Sequence, residues 1–215
     1  MKRGWSSALI LLAIFVFAGT VHANTITLSD PGSRYSNGGP FLADVSKTTP
    51  DALLGDPFTT FCLEKSEYIN FGVAYNYEIA DYAALGGGGA TEDGKDYLDE
   101  ASAWLYYQFR MGSPDYRGSA YDQRALQAAF WDIEDEQNLP SSPTGVDAIA
   151  ADYINAANAA IAAGWLNNGH VVVLNLSLNG ENKQSQLGLV PEPASLLLLA
   201  LGLGGIGIVS RKSKT

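Results

Sequence analysis

The chain has 215 residues, with 13 Lys+Arg against 23 Asp+Glu, a formal net charge of -10 and one cysteine. A lone cysteine makes neither an internal disulfide nor a Cys-rich zinc centre, and two histidines leave little for a His-based metal site, so no metal and no cofactor is expected. An acidic chain lacks the basic surface that neutralises phosphates, which speaks against nucleic acid, while 47% hydrophobic and 17% charged residues describe a packed domain rather than an acidic tail.

Residues 1–23 read as a secretory signal peptide. Lys2 and Arg3 form the positive start, Ala8 to Phe17 the apolar stretch, and Val21-His22-Ala23 places small residues where a signal peptidase cuts. Five of the 13 basic residues but only one acid lie in the two ends, so residues 24–190 carry 8 basic against 22 acidic residues, a charge of about -14. That length is enough for one buried core.

Strand signals open the domain at Thr25-Ile26-Thr27-Leu28, followed by a Gly/Pro/Asn-rich loop from Pro31 to Pro40. Phe58 to Leu63 has β propensity and contains Cys62, and Tyr68 to Ile79 is expected to pair with it. After the Gly86 to Gly89 break, helices are expected over Tyr97 to Phe109, Ala120 to about Glu136, and Val146 to Ala163. His170 to Leu178 returns to strand, with Val172, Leu174, Leu176 and Leu178 on one face. The fold class is α+β, with strands at both ends of the domain and a helical insertion between them. The domain is placed at 24–180, a linker at 181–190 and a sorting segment at 191–215.

That segment begins with Pro191-Glu192-Pro193, continues through an apolar run over 194–210, and ends in Arg211, Lys212 and Lys214. The run reaches the lower limit for a membrane-spanning helix, its glycines are tolerated in lipid, and the trailing cations would stay cytoplasmic. Triad, span and basic end together resemble the PEP-CTERM sorting signal of Gram-negative bacteria. The resemblance implies recognition by an exosortase, a transient stay in the inner membrane, and delivery to the cell surface or extracellular matrix.

An exported free thiol is open to oxidation unless it is buried or used. Phe61-Cys62-Leu63-Glu64 lies on an expected strand, and Leu126-Gln127-Ala128-Ala129-Phe130-Trp131 lies 65 residues on, on an expected helix. The two segments resemble the paired signatures of bacterial surface thioester domains, which implies an internal Cys62–Gln127 thioester. A thiolate attacking a carboxamide expels ammonia and leaves an acyl thioester, given two groups held in contact. Phe130 and Trp131, at i+3 and i+4 from Gln127, are expected to shield the bond. Glu64, two residues from Cys62, is expected on the same strand face as an orienting group or proton acceptor, or as an ordinary paired carboxylate. The implied function is covalent adhesion or crosslinking to an amine-bearing partner. Each domain would react once, so this is not a turnover enzyme.

Two other readings stand beside it. One is a non-reactive structural component of the extracellular polysaccharide matrix with Cys62 buried. The other is a Cys/His hydrolase needing His170. The acids Glu92, Asp93 and Asp96 lack the order of an EF-hand loop. Asp132, Glu134, Asp135 and Glu136 read as a solvated cluster at a helix end.

Overall fold

The structure, a computed structural model, describes residues 24–45, 57–84, 95–117 and 119–190. The expected signal peptide, the Pro191-Glu192-Pro193 triad and the apolar run 194–210 lie outside these. Among the described residues no helix is long and apolar enough to cross a membrane.

Among the described residues, eight strands and four helices follow in the order β1 (Thr25–Ser29), β2 (Phe41–Val45), β3 (Phe58–Thr60), β4 (Ala74–Ala80), β5 (Tyr82–Ala83), β6 (Asp96–Tyr97), α1 (Glu100–Met111), α2 (Pro114–Arg117), α3 (Ala120–Ile133), α4 (Val146–Ala162), β7 (Val171–Leu178) and β8 (Glu181–Leu189). Six strands form one antiparallel sheet in the order β3-β2-β1-β4-β7-β8, and β5 pairs with β6 in a small ribbon.

The large sheet closes on itself. Beyond β3 the chain reaches β8, at the opposite end of the strand order: Cys62 bridges Gln186, the Leu63 N–H donates to Ser185 O (3.2 Å), and the Leu187 N–H donates to Phe61 O (3.0 Å). Closure removes unpaired edges. Strand alternation then sends side chains to two cores. Ile26, Leu28, Phe41, Ala43, Phe58, Cys62, Tyr75, Leu174 and Leu176 fill one, with Trp131 joining from α3. Phe61, Val171, Val173 and Leu187 turn the other way and meet the helices.

The helices hold their lengths for local reasons. Asp99 caps α1 by accepting from the Ala101 N–H, and Gly112 ends it in the left-handed conformation that glycine adopts freely. Ser119 and Asp122 form a capping box at α3. The third helix stops at Ile133, short of the expected Glu136, because Asp135 turns to φ 58°. Helix α4 lacks a side-chain cap and relies on its alanine-rich sequence and on packing.

Two expectations are corrected and one strand is added. Residues 181–190 are not a linker: β8 occupies Glu181–Leu189 and is paired along both sides. Its polar letters misled, yet Gln184, Ser185 and Gln186 are buried and hydrogen-bonded. The Tyr68–Ile79 segment does not pair with Phe58–Leu63, since β4 lies between β1 and β7. Strand β2, hidden beside the Gly/Pro-rich loop, went unread despite its alternating burial. The expected face of Val172, Leu174, Leu176 and Leu178 is as read: all four belong to the inner core or pack against it.

Candidate functional site

Cys62 sits at the seam where the sheet closes, and Gln127 projects from α3 onto it. Both are fully buried. The Gln127 carboxamide spans the Cys62 peptide units: the Cys62 N–H donates to Oε1 (3.2 Å) and Nε2 donates to the Cys62 carbonyl (2.9 Å). The thiol lies 3.4 Å from the same Oε1. A second main-chain donor, the Gly39 N–H, reaches Oε1 at 2.7 Å. An amide so held cannot rotate away from the sulfur without losing three or four hydrogen bonds in a buried place.

Gly38 and Gly39 were not singled out in the sequence, and they lie over the carboxamide. A Cβ at Gly38 would stand 2.6 Å from Trp131 Cζ2 and 2.8 Å from Gln127 Cγ; one at Gly39 would stand 2.9 Å from Gln127 Oε1. Only glycine permits so close an approach of backbone to side chain. The loop is tied down by Tyr35, whose hydroxyl donates to Asp147 of α4 (2.9 Å) and whose ring packs on Trp131 (5.9 Å). Arg124 of α3 donates to Ser33 O (3.3 Å). The run Gly38-Gly39-Pro40 was the available signal, but a loop composition carries no hint of what the loop covers. A cleft of about 190 Å³ opens beside it, lined by Arg34, Asn37, Phe41, Tyr68, Ile69 and Phe71.

The expected shielding residues divide. Trp131 lies in the core with Cys62, under the Tyr35 ring, with the Lys65 ammonium 5.8 Å from its own ring. Phe130 points to the helical core and stacks on Phe61 (5.2 Å), so it supports the segment that carries Cys62 rather than the thiol itself. Glu64 is buried, with Oε2 accepting from the Ser185 N–H (2.8 Å) and Oε1 without a partner. Burial pushes its carboxyl up to about 7, helped by repulsion from Glu67. Burial likewise drives the Cys62 thiol far upward; the Gly39 N–H pulls the other way and the Glu64 charge adds to the rise. At rest the sulfur therefore carries its proton.

The structure does not bring His170 to Cys62. His170 stands at the end of the β7–β8 ladder, its carbonyl accepting from the Val190 N–H and its ring against Tyr107 (5.6 Å). Val190 is four residues beyond the Cys62 partner Gln186, which is about 13 Å along a strand.

Of the acidic cluster at the end of α3, Asp135 is exposed as expected and Asp132 and Glu136 are half-buried, but Glu134 is not solvated. Asp132 accepts from the Leu139 N–H (2.6 Å), and Glu136 accepts from the Lys65 N–H (2.9 Å). Glu134 is 6% exposed, and burial pushes its carboxyl up to about 8, with repulsion from Asp99 and Asp96 adding to the rise. An unfolded glutamate titrates near 4.3, at roughly its ordinary value. Between the two values the folded chain holds a proton that the unfolded chain has lost, so stability falls as pH rises from about 4.5 to about 8. Glu134→Gln keeps an acceptor for the Asp99 N–H without the charge. The variant is expected to gain on the order of 3 kcal/mol over the parent at pH 8.5 and almost nothing at pH 4.5, read by urea unfolding. Equal stabilisation at both pH values would contradict this. Among the described residues no group of three or more His, Cys, Asp or Glu side chains is placed to hold a metal ion.

Two comparisons bear on this geometry. The structure is similar to the N-terminal thioester domain of fibronectin-binding protein SfbI from Streptococcus pyogenes, with a TM-score of 0.50 and 13% identity over 80% of this chain and 94% of that one. It also matches the N-terminal thioester domain of a surface protein from Clostridium perfringens, with a TM-score of 0.44 and 13% identity over 78% and 98% of the two chains. The domain has a thioester-domain-like fold. The family model of the PEP-CTERM protein-sorting motif matches residues 189–212. That PEP-CTERM motif implies recognition by an exosortase-type sorting enzyme and marks an exported surface protein. It begins at the last residue of β8, so the thioester-domain-like fold runs into it without an intervening linker. No curated protein matches the chain in sequence.

Proposed function

We propose that the exported domain forms an internal thioester between Cys62 and Gln127 and uses it once, to attach covalently to an amine-bearing partner on a surface or in a matrix. The observation that carries this reading is the clamped carboxamide, held by the Cys62 N–H and carbonyl with the thiol 3.4 Å from its oxygen. The sulfur attacks the Gln127 amide carbon, a C–S bond forms, the C–N bond breaks, and the thiol proton leaves with nitrogen as ammonia. Glu64, acting electrostatically on the thiol and half-ionised near neutral pH, accepts the thiol proton and returns it to the departing nitrogen. The Cys62 carbonyl already holds that nitrogen. Later a primary amine attacks the same carbon, an amide bond forms, and the thiol is restored. Trp131 keeps water from the bond until then.

Sorting follows the two ends of the chain in this reading. Signal peptidase removes residues 1–23, the run 194–210 holds the protein in the inner membrane of a Gram-negative bacterium, and an exosortase acts at Pro191-Glu192-Pro193. The domain then works at the cell surface or in the extracellular matrix. A second reading, an inert matrix component, draws support from the full burial of the thiol and its upward-shifted titration.

Intact mass separates the two. The purified domain is expected to be lighter by one ammonia and to gain the mass of methylamine on incubation with it. Cys62→Ala and Gln127→Ala should each show the full, unreactive mass. A wild-type chain with full mass and a thiol that titrates on unfolding would establish the inert reading instead.

A further inference from the structure

Resting on the thioester reading, we infer that the main-chain N–H groups of Gly39 and Cys62 form an oxyanion hole for the Gln127 carbonyl, making Gly39 a catalytic residue of both bond formation and amine attack.

The argument starts from the bonds around one oxygen. Gln127 Oε1 accepts from the Gly39 N–H at 2.7 Å and from the Cys62 N–H at 3.2 Å, in a site from which solvent is excluded. When sulfur attacks the amide carbon, the carbonyl π pair moves onto this oxygen, which becomes an alkoxide until the C–N bond breaks and the carbonyl reforms. When an amine later attacks the thioester carbon, the charge returns to the same atom and collapses with loss of sulfur. Donors fixed in advance at a buried developing charge lower both barriers, because nothing need reorient during reaction. One donor comes from the nucleophile's own peptide unit, as it does where the attacking residue and the hole share a backbone.

The loop fixes the other donor. The Tyr35 N–H donates to Gly39 O (2.9 Å) and the Gly38 N–H donates to Tyr35 O (2.9 Å), so the turn closes on itself and leaves the Gly39 N–H directed at Oε1. The absence of a side chain at Gly39 is what allows contact, since a Cβ there would also meet Phe61 Cα and Thr60 O at 3.1 Å. The same loop N–H favours ionised sulfur, so it serves nucleophile and oxyanion together.

The test deletes the proton and not a side chain. An ester replaces the Gly38–Gly39 amide in the full chain, by incorporation of glycolic acid at position 39. The matched control is an ester at Gly32, whose N–H also makes a 2.7 Å bond, to Asp30 Oδ1 in an exposed turn. Ammonia loss on folding and methylamine uptake are both followed by intact mass, with thermal unfolding as the check on fold. The ester at 39 should slow both steps by about 10²-fold, the ester at 32 neither. Wild-type rates with the ester at 39 would overturn the assignment. Should that chain fail to fold, infrared spectra of wild type with ¹³C at the Gln127 carboxamide decide the matter. A thioester carbonyl stretch lowered relative to the same band in the denatured chain supports the hole; an unmoved band overturns it. A wild type that never loses ammonia removes the thioester reading itself, and the hole with it.

Discussion

Trp131→Ala is expected to lower the stability of the domain by about 3–5 kcal/mol, one of the largest single effects a side chain here can have. The indole is fully buried, fills the inner core next to Cys62, and is covered by Tyr35 and by Gly38. Its removal leaves a cavity that the closed sheet cannot collapse around, because backbone ladders on all sides fix the wall. The chemical consequence should exceed the thermodynamic one. Water reaching that cavity meets the acyl carbon, so any thioester formed is expected to hydrolyse, leaving a glutamate at 127 and a chain one mass unit above the unmodified one. Urea unfolding and intact mass after a day at neutral pH check the two halves. A variant that keeps its ammonia deficit would show that the indole is not what excludes water.

Gly38→Val should be almost as damaging, by a different route. A Cβ at this position already stands 2.6 Å from the indole and 2.8 Å from Gln127 Cγ, and two further methyls deepen the overlap. Neither neighbour can swing away: the indole is wedged in the core, and the carboxamide is held by the Cys62 peptide units. The loop must therefore lift, which breaks the Gly39 contact with Oε1. A loss of about 1–3 kcal/mol is expected, together with failure to lose ammonia. Gly32→Ala in the same loop meets nothing within 4 Å and should cost only about 1 kcal/mol from its positive φ, with the thioester intact. Wild-type stability and a normal mass deficit for Gly38→Val would refute the view of this loop as a tight cover.

The sequence disclosed the two residues that the structure places in contact, Cys62 and Gln127, better than it disclosed what surrounds them. Cys62 and Gln127 were legible because each sits in a short local pattern, and the three long helices because their composition and the Gly/Pro/Ser punctuation between them are local as well. Strand β8 was missed because Gln184, Ser185 and Gln186 look like surface residues until Glu64 and the segment after β3 are seen to bond with them. Glu134 was misread for the reverse reason: a carboxylate at a helix end is ordinarily wet, and only tertiary packing against α1 buries it. The pairing partner of β4 depended on how a sheet closes, which no window of residues records. Gly38 and Gly39 act through a missing atom, and a missing atom has no signature in composition.

The placement of β8 has a mechanical side. It is the last strand, it ends where the sorting motif begins, and it is laddered to the segment that carries Cys62. In the proposed thioester the C–S bond would tie α3 to the strand seam at the Cys62–Gln186 bridge, and so to β8 on the C-terminal side by which a cell surface would hold the protein. Capture of an amine-bearing partner on Gln127 would break that C–S bond in the same step, so the partner's pull would enter through α3 without the crosslink to the seam. The domain would thus be mechanically stiffer before capture than after, a difference that single-molecule extension of the two states can read directly.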